Sequence, residues 1–274
     1  MGYYVNLPLS WVAGDPAWLE WFISKNVAPE LGLDEAALQK PLSWHENMAW
    51  KLREAGLACS AHLPFMGLSP GDADPEESLR AGRLLRKAAD IASVYGANHM
   101  VGHPGYDAAR HGTDEEGHTP GPAWLERSRT VWRGLPERAG APLFLENIYD
   151  PSPAVLPALL GALDERGTGI CFDAGHWHCF SGGHGKKDMA DWIRAYSPYL
   201  RHLHLHDNDG TQDTHLGLGK GQVPLEELLT ALERQKLRPG VTYEPHTIEA
   251  FMDTAAWFEK HPKAAAFFRW TTPV

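Results

Sequence analysis

A single closed (β/α)₈ barrel spanning residues 1–274 is predicted from three features of the chain: eight short β-prone runs, helical stretches between them at intervals near thirty residues, and strongly unequal connecting loops. Strands that alternate with helices form parallel βαβ units. Eight such units in about 250 residues fit a closed barrel. An open doubly wound sheet would have fewer strands and a Gly-rich phosphate turn after the first, which this sequence lacks.

The strands are placed near Tyr3–Leu7, Val27–Leu31, Ala58–Leu63, His99–Gly102, Pro142–Glu146, Gly169–Phe172, Leu200–His206 and Val241–Glu244. Pro29 makes the second the least regular of them. Helix starts are read at Asp15-Pro16, Ser43 with Glu46, Asp74-Pro75 with Glu77, Pro122, Ser152-Pro153 and Pro224, where capping side chains or a first-turn proline precede apolar periodicity. Links from helix to strand are short, as at Gly96-Ala97 and Gly140-Ala141. Links from strand to helix are long and rich in Gly, His and Asp: 64–73, 104–121, 177–188 and 207–223. In a barrel these long loops all emerge at the C-terminal face of the strands, where a site is expected.

The formal charge of −10, from 35 acidic and 25 basic side chains, disfavours a broad nucleic-acid footprint. Cys59, Cys171 and Cys179 form no Cys-x-x-Cys pair and are odd in number, so reduced thiols are expected rather than a disulfide framework. The first 25 residues carry neither a signal peptide nor an apolar span, and the expectation is a soluble cytoplasmic protein with no membrane partner. Oligomeric state is not readable. The surplus of Asp, Glu and 15 His suits divalent metals.

That surplus is concentrated where strands finish. The third ends at His62, the fourth at His103, the fifth at Glu146-Asn147 and the sixth at Asp173-Ala174-Gly175-His176. The seventh carries His202, His204 and His206 on one face, because side chains alternate along a strand. Its following loop contains Asp213-Thr214-His215, and the eighth strand ends at Glu244. Each of these residues alone has an ordinary structural reading. Together, four acids and five imidazoles at one barrel mouth point to bound cations, since burying several carboxylates side by side is otherwise too costly.

With these motifs the chain resembles the superfamily of metal-dependent TIM barrels that joins endonuclease IV-type phosphodiesterases to xylose isomerase-like isomerases and epimerases. The resemblance runs through strands three to eight and is strongest to the trinuclear-zinc endonuclease IV pattern. It implies that His62, His103 and Glu146 hold one ion, that Glu146, Asp173, His204 and Glu244 hold a second, and that His176, Asp213 and His215 hold a third. It also implies Glu146 and Glu244 as the catalytic carboxylates. The isomerase branch would need only Glu146, Asp173, His204 and Glu244, with one or two Mn or Mg ions. The five further ligands favour three Zn ions and phosphoester hydrolysis, in which several ions activate water and stabilise the leaving oxygen.

Expected substrate contacts are Phe65, Asn147, Trp177, His206 and Lys220. Phe65-Met66 occupies a place that resembles the DNA-wedging pair of endonuclease IV. Lys186-Lys187 and Lys220 are the basic groups near the mouth after strands six and seven. So little positive charge favours a small phosphodiester, nucleotide-like or corrinoid-like, over duplex DNA. The alternatives carried forward are a sugar or sugar-phosphate isomerase or epimerase and an AP-site DNA endonuclease.

Overall fold

The computed structural model of the chain describes residues 2–185 and 188–272; Lys186 and Lys187 lie outside the described residues. Eight strands close into a barrel in sequence order: β1 (Tyr4–Pro8), β2 (Ala28–Gly32), β3 (Ser60–His62), β4 (Met100–Gly102), β5 (Leu143–Glu146), β6 (Thr168–Asp173), β7 (Leu200–Leu205) and β8 (Gly240–Tyr243). All neighbours are parallel, and β8 returns to β1. Helices between and after the strands bury Leu85, Trp132, Leu159, Trp192, Leu228 and Phe258 in the core. Space between the layers is tight at Gly102, where a Cβ would lie 2.9 Å from the Trp132 ring.

Pro29 is accommodated inside β2 for a geometric reason. Leu33 N–H bonds the His62 carbonyl on β3, so the alternation of a parallel ladder turns the Pro29 nitrogen toward β3 as well. Pairing with β3 begins only at Glu30 and Ser60, so no ladder bond is lost.

Two helix starts differ from the sequence reading. The helix expected at Ser43 runs Leu42–Glu54 behind Pro41, with no side-chain cap. The one expected at Ser152-Pro153 begins at Val155, and Ser152 Oγ instead accepts the Ala154 N–H at 3.1 Å. Asp74 caps Pro75–Tyr95 as expected, accepting the Glu76 N–H.

The barrel interior is layered by the two-residue period of its strands. Tyr4, His99, Phe144 and His202 form an aromatic floor, with His99 and His202 centroids 4.3 Å apart. Above it stand Glu30, Ser60, Cys171, His204 and Thr242, all buried. Two residues further along the strands come the side chains of the mouth.

Candidate metal centre

The mouth opens on a cavity of about 310 Å³ whose lining includes Glu30, His62, His103, Glu146, His176, Asp213, His215 and Glu244. Leu7, Pro8, Leu33, Leu63, Phe65 and Met66 form an apolar wall, and no Lys or Arg is among the described lining residues.

The expected ligands gather around Glu146, which is 1% exposed. On one side His62 Nε2 and His103 Nε2 stand 3.2 and 3.3 Å from Glu146 Oε2. In the middle His204 Nδ1 is 3.2 Å from Glu146 Oε2 and 3.2 Å from Glu244 Oε1. On the other side His176 Nε2 and His215 Nε2 approach Asp213 Oδ2 at 3.3 and 3.2 Å. Asp173 joins the two halves: its Oδ1 accepts the His176 N–H as the cap of the short helix Ala174–Cys179, and its Oδ2 lies 3.8 Å from His176 Nδ1. His206 enters this last group, 3.3 Å from Asp173 and 3.5 Å from Asp213, with its ring stacked 3.8 Å from that of His215. Gly175 makes room for it, since a Cβ there would collide with the His206 ring.

Three of the imidazoles are aimed by the main chain. His62 Nδ1–H donates to Leu63 O at 2.9 Å, His176 Nδ1–H to Asn147 O at 3.2 Å, and His215 Nδ1–H to Glu244 O at 2.8 Å. In their neutral form His62 and His215 therefore present an Nε2 lone pair inward, the tautomer a metal ligand needs, whereas His176 Nδ1 also lies 2.9 Å from Glu146 Oε1.

The electrostatics are those of carboxylates and imidazoles buried against one another. Burial opposes ionisation of Glu146, but the His204, His103 and His176 imidazoles outweigh it and hold the carboxyl well below its usual range. Burial likewise opposes charge on His176, yet Asp173, Asp213 and Glu146 raise it well above an ordinary imidazole. His103 is pushed down to about 4 by burial. Burial, together with the Glu146 and Asp173 charges, lifts Glu244 to about 7 despite its imidazole neighbours. Protons on imidazoles thus balance the carboxylates where divalent ions would otherwise do so.

The residues fit divalent ions. Glu146 Oε1, Asp173 Oδ2, His204 Nδ1, His206 Nε2 and Asp213 Oδ1 are buried and make no hydrogen bond among the described residues, although all are strong ligand atoms. Ligand atoms of His62, His103 and Glu146, and of His176, His206, Asp213 and His215, lie close enough to share an ion within each group. Oxygen and imidazole donors in this mixture suit zinc or manganese.

Of the remaining expected contacts, Phe65 lines the cavity, its ring 4.3 Å from that of His103. Asn147 is fully buried and spent on structure: its amide donates to Asp173 O at 3.0 Å and accepts Asp173 N–H at 2.9 Å. Trp177 is 1% exposed and outside the lining, and Lys220 pairs with Asp253 at 3.0 Å. The structure does not bring Asn147, Trp177, His206 or Lys220 to the cavity lining.

Four residues near the centre escape the sequence reading. Asn6 lines the cavity from β1, its Oδ1 without a hydrogen bond among the described residues. His246, two residues beyond Glu244, stacks on His215 at 3.7 Å. Cys171 lies beneath Glu146 and His204, its thiol pushed well up by burial. Glu30 approaches His204 from β2. The strand period gave a usable signal for Cys171, two residues before Asp173, and for Glu30, the carboxylate of an otherwise apolar strand.

Residues 28–264 match the family described as the xylose isomerase-like TIM barrel, and the chain belongs to that family. Among solved structures it is similar to the TTHB071 protein of Thermus thermophilus, from a zinc chloride soak, at 28% identity and TM-score 0.72, covering 97% of this chain and 98% of that one. A D-tagatose 3-epimerase-like protein superposes with TM-score 0.75 at 20% identity, over 97% of this chain and 99% of that one. The D-allulose 3-epimerase of Methylomonas sp., in complex with D-allulose, gives 0.72 at 17% identity, over 95% and 96% of the two chains. These two share the fold. An uncharacterised Methanocaldococcus jannaschii protein, MJ1311, is 25% identical over 181 residues, 63% of this chain and 59% of that protein's length.

Proposed function

We propose that the chain is a divalent-metal hydrolase of a small phosphodiester, with up to three zinc ions held by His62, His103, Glu146, Asp173, His176, His204, Asp213, His215 and Glu244. The observation that carries this reading is the presence of two further ligand groups flanking the central one, His62–His103 and His176–Asp213–His215, beyond what a single ion needs. Bound there, divalent ions supply an ionised water near neutral pH and neutralise charge on phosphoryl oxygens. The chain's own part is to hold that geometry. Main-chain carbonyls fix the imidazoles, Glu146 spans two ligand groups, and Glu244 lies where it can accept a proton from the nucleophile. Phe65 and the apolar wall exclude water from one side, and Asn6 Oδ1 offers an acceptor to a substrate hydroxyl or amine. A cavity of about 310 Å³ with no basic lining among the described residues favours a small molecule over duplex DNA.

A second reading, a metal-dependent sugar or sugar-phosphate epimerase, draws on Glu146 and Glu244 facing one point beside His204, and on the epimerase names of two structural relatives. There the two carboxylates would exchange a carbon-bound proton. Metal analysis of protein purified without added metal separates the readings. Near three equivalents of zinc with hydrolysis of bis(p-nitrophenyl) phosphate supports the hydrolase; one manganese or magnesium with turnover of a ketose overturns it.

A further inference from the structure

We propose that Glu30 is a positioning residue of the metal centre: it holds His204 as the Nε2–H tautomer, so that Nδ1 is the atom presented between Glu146 and Glu244. This rests on the reading of the site as a divalent-metal centre, not on the choice between hydrolase and epimerase.

His204 is an exception among the imidazoles of the mouth. His62 is the last residue of β3, His176 lies in a short helix and His215 in a loop, and each finds a main-chain carbonyl for its Nδ1–H. His204 stands inside β7, paired with Asp173 on β6 and Thr242 on β8, where carbonyls belong to the sheet ladder. Its outer nitrogen meets a side chain instead: Nε2 is in ion-pair contact with Glu30 Oε1 at 2.9 Å, and among the described residues neither atom makes a hydrogen bond. The ring is consequently reversed relative to the other three, with Nδ1 inward, 3.2 Å from both Glu146 and Glu244.

Glu30 is itself locked. Ser60 and Thr242 hydroxyls donate to its Oε2 at 3.0 and 2.9 Å. A threonine hydroxyl has one hydrogen, here given to Glu30, so Thr242 Oγ1 accepts from His202 Nε2–H at 2.8 Å. Protons therefore point toward Glu30 along a path from β7 through β8 to β2, His202 donating to Thr242 and Thr242 to Glu30, while His204 on β7 faces the other oxygen of the same carboxylate. When an ion takes Nδ1, the one proton left on the His204 ring is on Nε2, and the Glu30 carboxylate beside it can only accept. Carboxylate partners of this kind orient a ligating imidazole and raise its basicity, and their loss typically weakens metal binding by about 10–100-fold.

Glu30→Gln keeps the shape but forces a choice: the amide cannot accept from Ser60, Thr242 and His204 together. Zinc competition against a chromophoric chelator should show one zinc equivalent weakened by about 10–100-fold in E30Q while the others keep wild-type affinity. Glu30→Asp, which retains a carboxylate, should recover part of the loss. Long-range ¹H–¹⁵N correlation of the histidine rings in the wild-type protein should show His204 protonated at Nε2, with Nδ1 shifted by zinc. A purely structural Glu30 would lower Tm in E30Q and leave zinc affinity unchanged, and that result overturns the proposal. So does zinc bound through His204 Nε2, which the wild-type spectrum reveals even if the variant fails to fold. Wild-type protein that takes up no divalent ion would sink the metal reading and this role together, a failure seen before any variant is made.

Discussion

Glu244 and His103 sit in the same buried cluster and are shifted in ways that matter differently for binding an ion. His103, held at about 4 by burial, is already neutral at physiological pH and ready to ligate. Glu244, raised to about 7, must first lose a proton. So must His176 and His204, where burial opposes the charge but neighbouring groups, carboxylates around His176 and Cys171 followed by carboxylates around His204, raise both well above the ordinary imidazole range. A cation binds the deprotonated groups, so apparent metal affinity should rise with pH. Between pH 6 and 7 the change should be at least about tenfold, flattening only above the highest of these values. Zinc competition titrations across that range check it, and a flat profile would mean that the ligands enter binding already deprotonated. Removing a ligand outside the central set gives a sharper test. His103→Ala or Asp213→Ala should each cost one metal equivalent and lower phosphodiester hydrolysis by at least about 100-fold. An epimerase relying on Glu146, Asp173, His204 and Glu244 would keep part of its turnover in both.

At the scale of elements, the ends of β5 and β6 are stitched together by Asn147, whose amide makes two hydrogen bonds to the Asp173 main chain beneath the site. Asn147→Ala would leave the buried Asp173 N–H unsatisfied, a loss of about 1–3 kcal/mol. The expected result is a lower Tm with KM for substrate little changed, whereas a substrate-contacting Asn147 would show the reverse. This residue also marks the limit of reading function from sequence. Strand ends are legible, because apolar runs and turn residues bound them, and the candidate ligands follow since they cap successive strands. Whether a polar residue beside a ligand faces substrate or its own backbone depends on χ angles and on the register of the neighbouring strand, which local pattern does not encode. The partners of Glu30, as distinct from its place on an apolar strand, are hidden for a related reason. Pro29 makes β2 an irregular strand to read, and the bonds that commit Glu30 come from Ser60, Thr242 and His204, as many as 212 residues away.

For the whole molecule, the barrel concentrates Glu30, Glu146, Asp173, Glu244 and Asp213 in one low-dielectric mouth of a chain already at formal −10, and three divalent ions would add six positive charges where they are densest. Without them the native state must protonate imidazoles and Glu244 or leave carboxylates poorly compensated, and both options disfavour folding. An ion that binds only the folded chain stabilises it by RT ln(1 + [L]/Kd), about 2.7 kcal/mol for each site at a free concentration 100 times Kd. For a chain of this size each kcal/mol moves Tm by roughly 2–4 °C, so one saturated site shifts it by about 5–10 °C. Dialysis against a chelator should therefore lower Tm by at least that much, and zinc should restore it in a concentration-dependent way. Calcium, which prefers six to eight oxygen ligands, should restore little, because nitrogen donors dominate both outer groups. A Tm indifferent to chelation and to zinc would show that imidazolium–carboxylate pairing alone balances the mouth, and that the convergence of these side chains serves the fold rather than a metal.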